Sequence, residues 1–188
     1  MRGRDKLKKY NRIIVFLTYV IGLFPKSVLI FFFQRTDNIR GNIGILIRYL
    51  LIKNISLECG ENVSIHRGCY ILNITNIKFG ENISIHPLCY LDGYGGIEIG
   101  SNTSIAHGVS IMSSSHTFDN NQKNIKDQVV DKKRTIIGEN VWIGAKSMIM
   151  GGIYVNNRAI IGASSVVTKS VSENTIVGGN PAKIIKYF

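Results

Sequence analysis

Residues 59–70 read CGENVSIHRGCY, residues 79–90 read FGENISIHPLCY and residues 99–110 read IGSNTSIAHGVS, three near-copies twenty residues apart. A finer six-residue beat runs inside each copy. Its first places are Cys59, Ile65 and Ile71, then Phe79, Ile85 and Leu91, then Ile99, Ile105 and Ile111. After an interruption it resumes at Ile137, Ile143, Ile149, Val155, Ile161 and Val167. Small or β-branched residues fill the fifth places, among them Val63, Cys69, Cys89, Thr103, Val109, Val141, Ser147, Ala159 and Ser165. Such a beat matches neither the ~3.6-residue period of a helix nor the two-fold alternation of a strand, so it predicts a solenoid.

A hexad suits a short flat strand plus a corner, with its first and fifth residues turned inward and glycines relieving crowding where the chain bends. Three hexads close a triangular coil, and coils stack at the inter-strand spacing of ~4.8 Å. In the first half each period is eighteen residues plus two, the extra pair lying within residues 71–78 and again within 91–98. A chance run of Ile-rich strands in a β-sandwich would not hold that register.

Over residues 59–188 this repeat resembles the hexapeptide-repeat family, whose fold is the left-handed parallel β-helix. The handedness comes from the resemblance, because left-handed parallel crossovers are otherwise rare. The expected fold is an all-β solenoid of this kind, with N-terminal helices and a looped-out excursion. The expected division is a basic, apolar helical arm at residues 1–53 and a β-helix acyltransferase domain at 54–188, with its loop at 112–135.

The net charge of +11 sits mostly in the arm, where residues 1–53 hold 11 Lys/Arg against Asp5 and Asp37. Its twelve-residue apolar run, residues 13–24, falls short of the ~20 residues a membrane-spanning helix needs. Phe24-Pro25-Lys26 follows it, not the small-residue cleavage site of a signal peptide. Residues 1–33 are expected to make peripheral contact with an anionic membrane, and residues 38–53 to cover the open end of the solenoid. The basic residues are not interleaved with exposed aromatics over a folded platform, which argues against nucleic acid. Cys69 and Cys89, at one interior place in successive coils, read as small core residues of a reducing compartment, with no C-x-x-C metal spacing. The expected location is cytoplasmic, at the inner face of the cytoplasmic membrane.

From Ile111 to Ile137 the beat is stretched by twenty residues, and the excursion opens Ser113-Ser114-Ser115-His116. A long departure from so regular a scaffold is where function is carried. In hexapeptide-repeat O-acetyltransferases acting on sugars, the catalytic His begins such a loop, and the resemblance puts His116 at that place. A neutral imidazole, with an ordinary pKa of ~6.5, suits removal of a hydroxyl proton near neutral pH. His66 and His86 stack on the outer face and His107 lies one place off. No His follows His116, which speaks against the zinc site of the related carbonic anhydrases, so no metal is expected. Asp92, at the inserted corner, is the carboxylate the resemblance would set beside acceptor hydroxyls, though the corner LDGYGG is spaced differently here; an Asx-type turn cap is the competing reading.

Three later stretches resemble coenzyme A-dependent sugar acetyltransferases: residues 140–145 (NVWIGA), 161–169 (IGASSVVTK) and 178–186 (GGNPAKIIK). By that resemblance Trp142, Gly144, Ala145, Gly162, Ala163, Ser164 and Thr168 would line a pantetheine groove between neighbouring β-helices. Lys169, Lys183 and Lys186 would meet the donor's phosphates as point charges. The implied assembly is a homotrimer. The implied activity is acetyl-CoA-dependent O-acetylation of a saccharide acceptor, free or lipid-linked, in surface polysaccharide synthesis. An antibiotic-modifying acetyltransferase and a non-catalytic β-helix scaffold are the alternatives.

Overall fold

The computed structural model describes residues 11–188. The first ten residues of the arm, within the segment expected to touch membrane, lie outside the described residues. Helices α1 (Asn11–Gly22), α2 (Lys26–Phe33) and α3 (Gly41–Ile55) come first. Pro25 caps α2 at φ −57°, and it cannot supply the backbone N–H that would continue α1.

The strands then wind in coils. The first coil is β1 (Glu58–Cys59), β2 (Ser64–Ile65) and β3 (Tyr70–Leu72). The second is β4 (Ile77–Phe79), β5 (Ser84–Ile85) and β6 (Tyr90–Asp92), and the third β7 (Ile97–Ile99), β8 (Ser104–Ile105) and β9 (Ser110–Ile111). A hairpin of β10 (Ser114–His116) and β11 (Val130–Lys132) interrupts. The fourth coil is β12 (Thr135–Ile137), β13 (Trp142–Ile143) and β14 (Met148–Ile149); the fifth is β15 (Tyr154–Val155), β16 (Ile160–Ile161) and β17 (Val166–Val167). A partial sixth coil holds β18 (Thr175–Gly178), and β19 (Lys183–Tyr187) folds back on it antiparallel.

Three sheets form the faces of a prism. Sheet 1 is β1-β4-β7-β12-β15, sheet 2 is β2-β5-β8-β13-β16-β18-β19, and sheet 3 is β3-β6-β9-β14-β17. All pairs between coils are parallel and in register: Cys59 faces Phe79, Phe79 faces Ile99, Ile99 faces Ile137, and Ile137 faces Val155. The first places of the hexads therefore stack directly, and Ile65, Ile85, Ile105, Ile143 and Ile161 form one wholly buried column. The solenoid read from the six-residue beat is the observed fold.

The bends differ in one respect from the sequence expectation. Between sheets 1 and 2 the left-handed backbone is taken by Asn62, Asn82, Asn102 and Asn140, at φ 54–61°, not by glycine. Asn tolerates that region because its short polar side chain bonds locally; Asn62 donates to Asn82 (2.9 Å) and Asn82 to Asn102 (3.1 Å). The repeated glycine has another cause: a Cβ on Gly100 would lie 2.5 Å from the backbone of Gly138 in the next coil. The outward histidines stack as expected, His66 over His86 at 5.1 Å, and Cys69 and Cys89 are buried free thiols donating to the carbonyls of His86 and Ala106.

Helix α3 covers the first coil through Arg48, which is 2% exposed. Its Nε donates to the Ile65 carbonyl (2.7 Å) and its Nη1 to the carbonyls of Thr36 (2.9 Å) and Ile39 (3.3 Å). One guanidinium thus satisfies the free edge of β2 and the turn that precedes α3. Replacing Arg48 with Met keeps the stem and removes the donors, leaving the Ile65 and Ile39 carbonyls without them while the Thr36 carbonyl keeps the Ile39 N–H. The expected loss is roughly 2–4 kcal/mol, read as a lower midpoint in urea with an unchanged slope; an unchanged midpoint would mean water replaces the guanidinium.

Candidate active site

The twenty extra residues form a hairpin in which Ser114 pairs with Lys132, Ser115 with Asp131 and His116 with Val130. The Thr117 N–H continues the ladder to the Val129 carbonyl at 2.9 Å. The hairpin leaves the prism after β9 and returns at β12, so it stands on the edge between sheets 3 and 1. His116 is exposed near its base.

That base is pinned from two sides. Asp92, only 6% exposed, accepts from the Ser114 hydroxyl at Oδ2 (2.5 Å) and from the Tyr94 N–H at Oδ1 (3.1 Å). The Ser113 hydroxyl donates to the Asp92 carbonyl and accepts from the Gly95 N–H at 2.8 Å. A side chain at Gly95 would collide with the Ser113 carbonyl oxygen, and one at Gly151 would stand 3.0 Å from the Ser114 nitrogen. The inserted corner of the second coil and the following glycine pair thus grip the strand that ends in His116. The sequence displayed Asp92 and the Ser113-Ser114-Ser115 run separately; the coil register that joins them was the missing signal. Asp92 also takes the Asx geometry toward Tyr94 that the corner sequence suggested.

The residues expected to hold an acyl donor lie elsewhere on the prism. Trp142, half exposed on the outer face of sheet 2, is flanked in register by Ser104 and Ile160. Gly144 and Ala145 turn the corner from sheet 2 to sheet 3, and Gly162, Ala163 and Ser164 turn the same corner one coil later. The Ser164 N–H bonds the Ala145 carbonyl at 2.8 Å, with Ser164 at φ 57°. A Cβ on Gly144 would come within 2.5 Å of the Ala163 nitrogen, so the close approach of the two coils requires that glycine. Thr168 and Lys169, both exposed, lie at the end of sheet 3. Lys183 and Lys186 are exposed on β19, opposite Gly178 and Ile176. Within one chain, the sheet 2–sheet 3 corner with Gly144, Ala145, Gly162, Ala163 and Ser164 and the sheet 3–sheet 1 edge bearing His116 are different edges of the prism; Thr168 and Lys169 lie on the same edge as His116, after the fifth coil. Among the described residues no cluster of three or more His, Cys, Asp or Glu is placed to hold a metal ion. A cleft of about 780 Å³ between α1, α3 and the first two coils includes Tyr49, Lys53, Glu61 and Asn82, and none of these candidates.

Residues 134–169 match the family described as bacterial transferase hexapeptide (six repeats). A chloramphenicol acetyltransferase of Klebsiella aerogenes is 56% identical over 52 residues, 28% of this chain and 25% of that protein. A putative lipopolysaccharide biosynthesis O-acetyltransferase of Escherichia coli K12 is 38% identical over 61 residues, 32% of this chain and 31% of that one. The chain thus spans about a quarter to a third of the length of these relatives. A maltose O-acetyltransferase structure from Clostridium difficile 630 shares 27% identity at a TM-score of 0.74, covering 87% of this chain and 86% of the other. The fold and the matched repeat define a parallel β-solenoid with a hairpin on one edge. Residues 134–169 carry the six-residue repeat of bacterial transferases, within a solenoid that runs the same beat on either side of them.

The grip on the hairpin can be tested without any substrate. Ser114→Ala leaves a buried carboxylate oxygen short of a donor and should cost the hairpin about 1–3 kcal/mol of local stability. Trypsin should then cut at Lys123 and Lys126 several-fold faster while the solenoid melts nearly as before. Unchanged cleavage would mean that the glycine contacts alone hold the strand.

Proposed function

We propose that this chain is an acetyl-CoA-dependent O-acetyltransferase acting on a saccharide acceptor. The observation that carries the reading is an exposed imidazole, His116, on a strand fixed at its base by the buried Asp92 carboxylate. The transferase-type repeat in the coils that follow and the fold shared with a maltose O-acetyltransferase support it. Neutral His116 takes the proton of an acceptor hydroxyl as its oxygen attacks the thioester carbonyl. The tetrahedral oxyanion collapses, the carbon–sulfur bond breaks, and the imidazolium returns the proton to the departing coenzyme A thiolate. Backbone N–H groups of a neighbouring coil are the donors suited to the oxyanion. The residues that would hold the donor are Trp142, Gly144, Ala145, Gly162, Ala163, Ser164 and Thr168, with Lys169, Lys183 and Lys186 for its phosphates. Asp92 serves as positioning group for the strand of His116 and, through its remaining lone pairs, as a contact for the acceptor.

Because Trp142, Gly144, Ala145, Gly162, Ala163 and Ser164 lie away from the edge that bears His116, a complete site calls for a second chain, and a homotrimer supplies it three times over. The division into an arm at 1–53 and a catalytic solenoid at 54–188 belongs to the same reading. So do a cytoplasmic location at the inner membrane face and an acceptor that is lipid-linked in surface polysaccharide synthesis. The local identity to a chloramphenicol acetyltransferase favours a second reading, transfer to an antibiotic hydroxyl. Parallel assays with chloramphenicol and with oligosaccharides separate the two.

His116→Ala should lower acetyl transfer about 10²–10⁴-fold with donor affinity nearly unchanged. Full activity in the variant would end the general-base assignment.

Replacing Lys183 and Lys186 together with Ala should raise the KM for acetyl-CoA and spare turnover, since phosphate contacts are equal in ground and transition states. A loss confined to kcat would contradict phosphate binding.

A further inference from the structure

The two N-terminal helices are apolar on more faces than the other described residues cover. Their inward residues Ile14, Leu29 and Phe33 are buried, with Leu17, Ile21 and Ile30 packed beside them. Their other faces present Ile13, Val15, Phe16, Tyr19, Leu23 and Phe24 from α1 and its end, and Phe31 and Phe32 from α2, all about half exposed or more. A helix apolar all round belongs in a protein core or in lipid. Three features narrow the choice. The helices are short, 12 and 8 residues, so they reach only ~18 Å and ~12 Å along their axes. They meet at a bend of 116°, and among the described residues no single helix is long and apolar enough to cross a membrane. The cations stand at the ends of the helices: Arg12 opens α1, Lys26 opens α2 at the bend, and Arg35 follows α2. No acidic residue lies between Asp5 and Asp37.

From this we infer that α1 and α2 lie flat in the headgroup–acyl boundary of one leaflet of an anionic membrane, apolar outer faces down. Arg12, Lys26 and Arg35 mark three points at headgroup level. Their stems run along apolar surface while the charges stay in water, as the Arg35 guanidinium 3.4 Å above the Phe31 ring illustrates. Lys26 at the bend keeps the irregular backbone of residues 23–25 near water and out of the hydrocarbon, where unpaired backbone groups are not tolerated. Helices in this setting sink ~5–10 Å, and a ~30 Å hydrocarbon layer leaves the far leaflet untouched. Since α3 packs against both helices and against the first coil, the solenoid would be held at a fixed attitude to the membrane. This deepens the membrane-facing part of the function proposed above, and it is measured without turnover, so it stands or falls apart from the chemistry.

The test is sedimentation of the full chain with vesicles of phosphatidylglycerol and phosphatidylcholine, at low salt and in 1 M NaCl. A triple variant, Phe16→Ser, Phe24→Ser and Phe32→Ser, is run beside it. All three rings face outward, so the variant should keep its circular dichroism and melting temperature. An Arg12→Gln, Lys26→Gln, Arg35→Gln variant serves as second probe. Expected are wild-type binding that survives 1 M NaCl in good part, at least 10²-fold weaker partitioning of the triple Phe variant, and a Gln variant weakened mainly at low salt. Complete release of wild type by salt would overturn insertion in favour of surface charge alone. Equal binding of wild type and triple Phe variant would overturn it, as would failure of wild type to pellet. Salt-resistant self-association of wild type without vesicles, abolished in the triple Phe variant, would assign the face to a protein contact instead.

Discussion

The coil-to-coil hydrogen bond sets the terms for everything else in this molecule. Within the first five coils each strand is two or three residues long and has no meaning alone; its N–H and C=O groups are satisfied by the neighbouring coils. Tyr70 donates to Cys89, Tyr90 to Val109, Ser110 to Ser147 and Met148 to Ser165, all at 2.8–2.9 Å. Coils must therefore hold the same number of residues between equivalent corners, and any surplus must leave at an edge. The two extra residues of each early coil leave at the sheet 3–sheet 1 edge, and so do the twenty of the hairpin. Corner and hairpin meet there because the same rule expels both at the same place, which is how Asp92 comes to sit under Ser114.

The same ladder creates two ends with unpaired backbone, and the chain deals with them differently. At the start, α3 lays Arg48 across the free carbonyl of Ile65. Tyr49 and Lys53 reach the carbonyls of Gly60 and Cys59. Burial holds both the Tyr49 hydroxyl and the Cys59 thiol at a pKa of about 12, neutral through the physiological range. The helical end is thus a polar clasp under an apolar roof, and the roof is formed by helices whose outer surface has no partner among the described residues.

Much of this was legible in the sequence because the hexad beat is a direct image of the prism: Ile65, Ile85 and Ile105 are equivalent in both. The excursion was legible as surplus length. Its antiparallel pairing was not, since residues 114–132 carry neither strong alternation nor a compact turn signal. The role of Asn at the bends was not legible, because glycine is the usual carrier of a positive φ and the ladder of Asn side chains exists only once coils are stacked. Asp92 was visible as a carboxylate at a corner, but its hold on Ser114 spans 22 residues and depends on coil register. The separation of His116 from the corner that holds Gly144 and Ser164 follows from which corner each hexad turns, a property of the closed coil that no local motif encodes.

The tail residues 179–188 close a sheet edge with the same length of backbone that carries Lys183 and Lys186. Gly179 and Ala182 bond to Val166 of the fifth coil, and β19 closes the outer edge of β18. This seals an edge that would otherwise be ready to pair with another chain. Two of the three proposed donor lysines, Lys183 and Lys186, are carried on that seal. Drift in the tail toward a different acyl donor would therefore be filtered through its effect on self-templated growth: a variant that loosened β19 to remodel its lysines would also offer the prism's last strand to its own copies. Under the proposed donor role, solubility and donor choice would be inherited together in these ten residues.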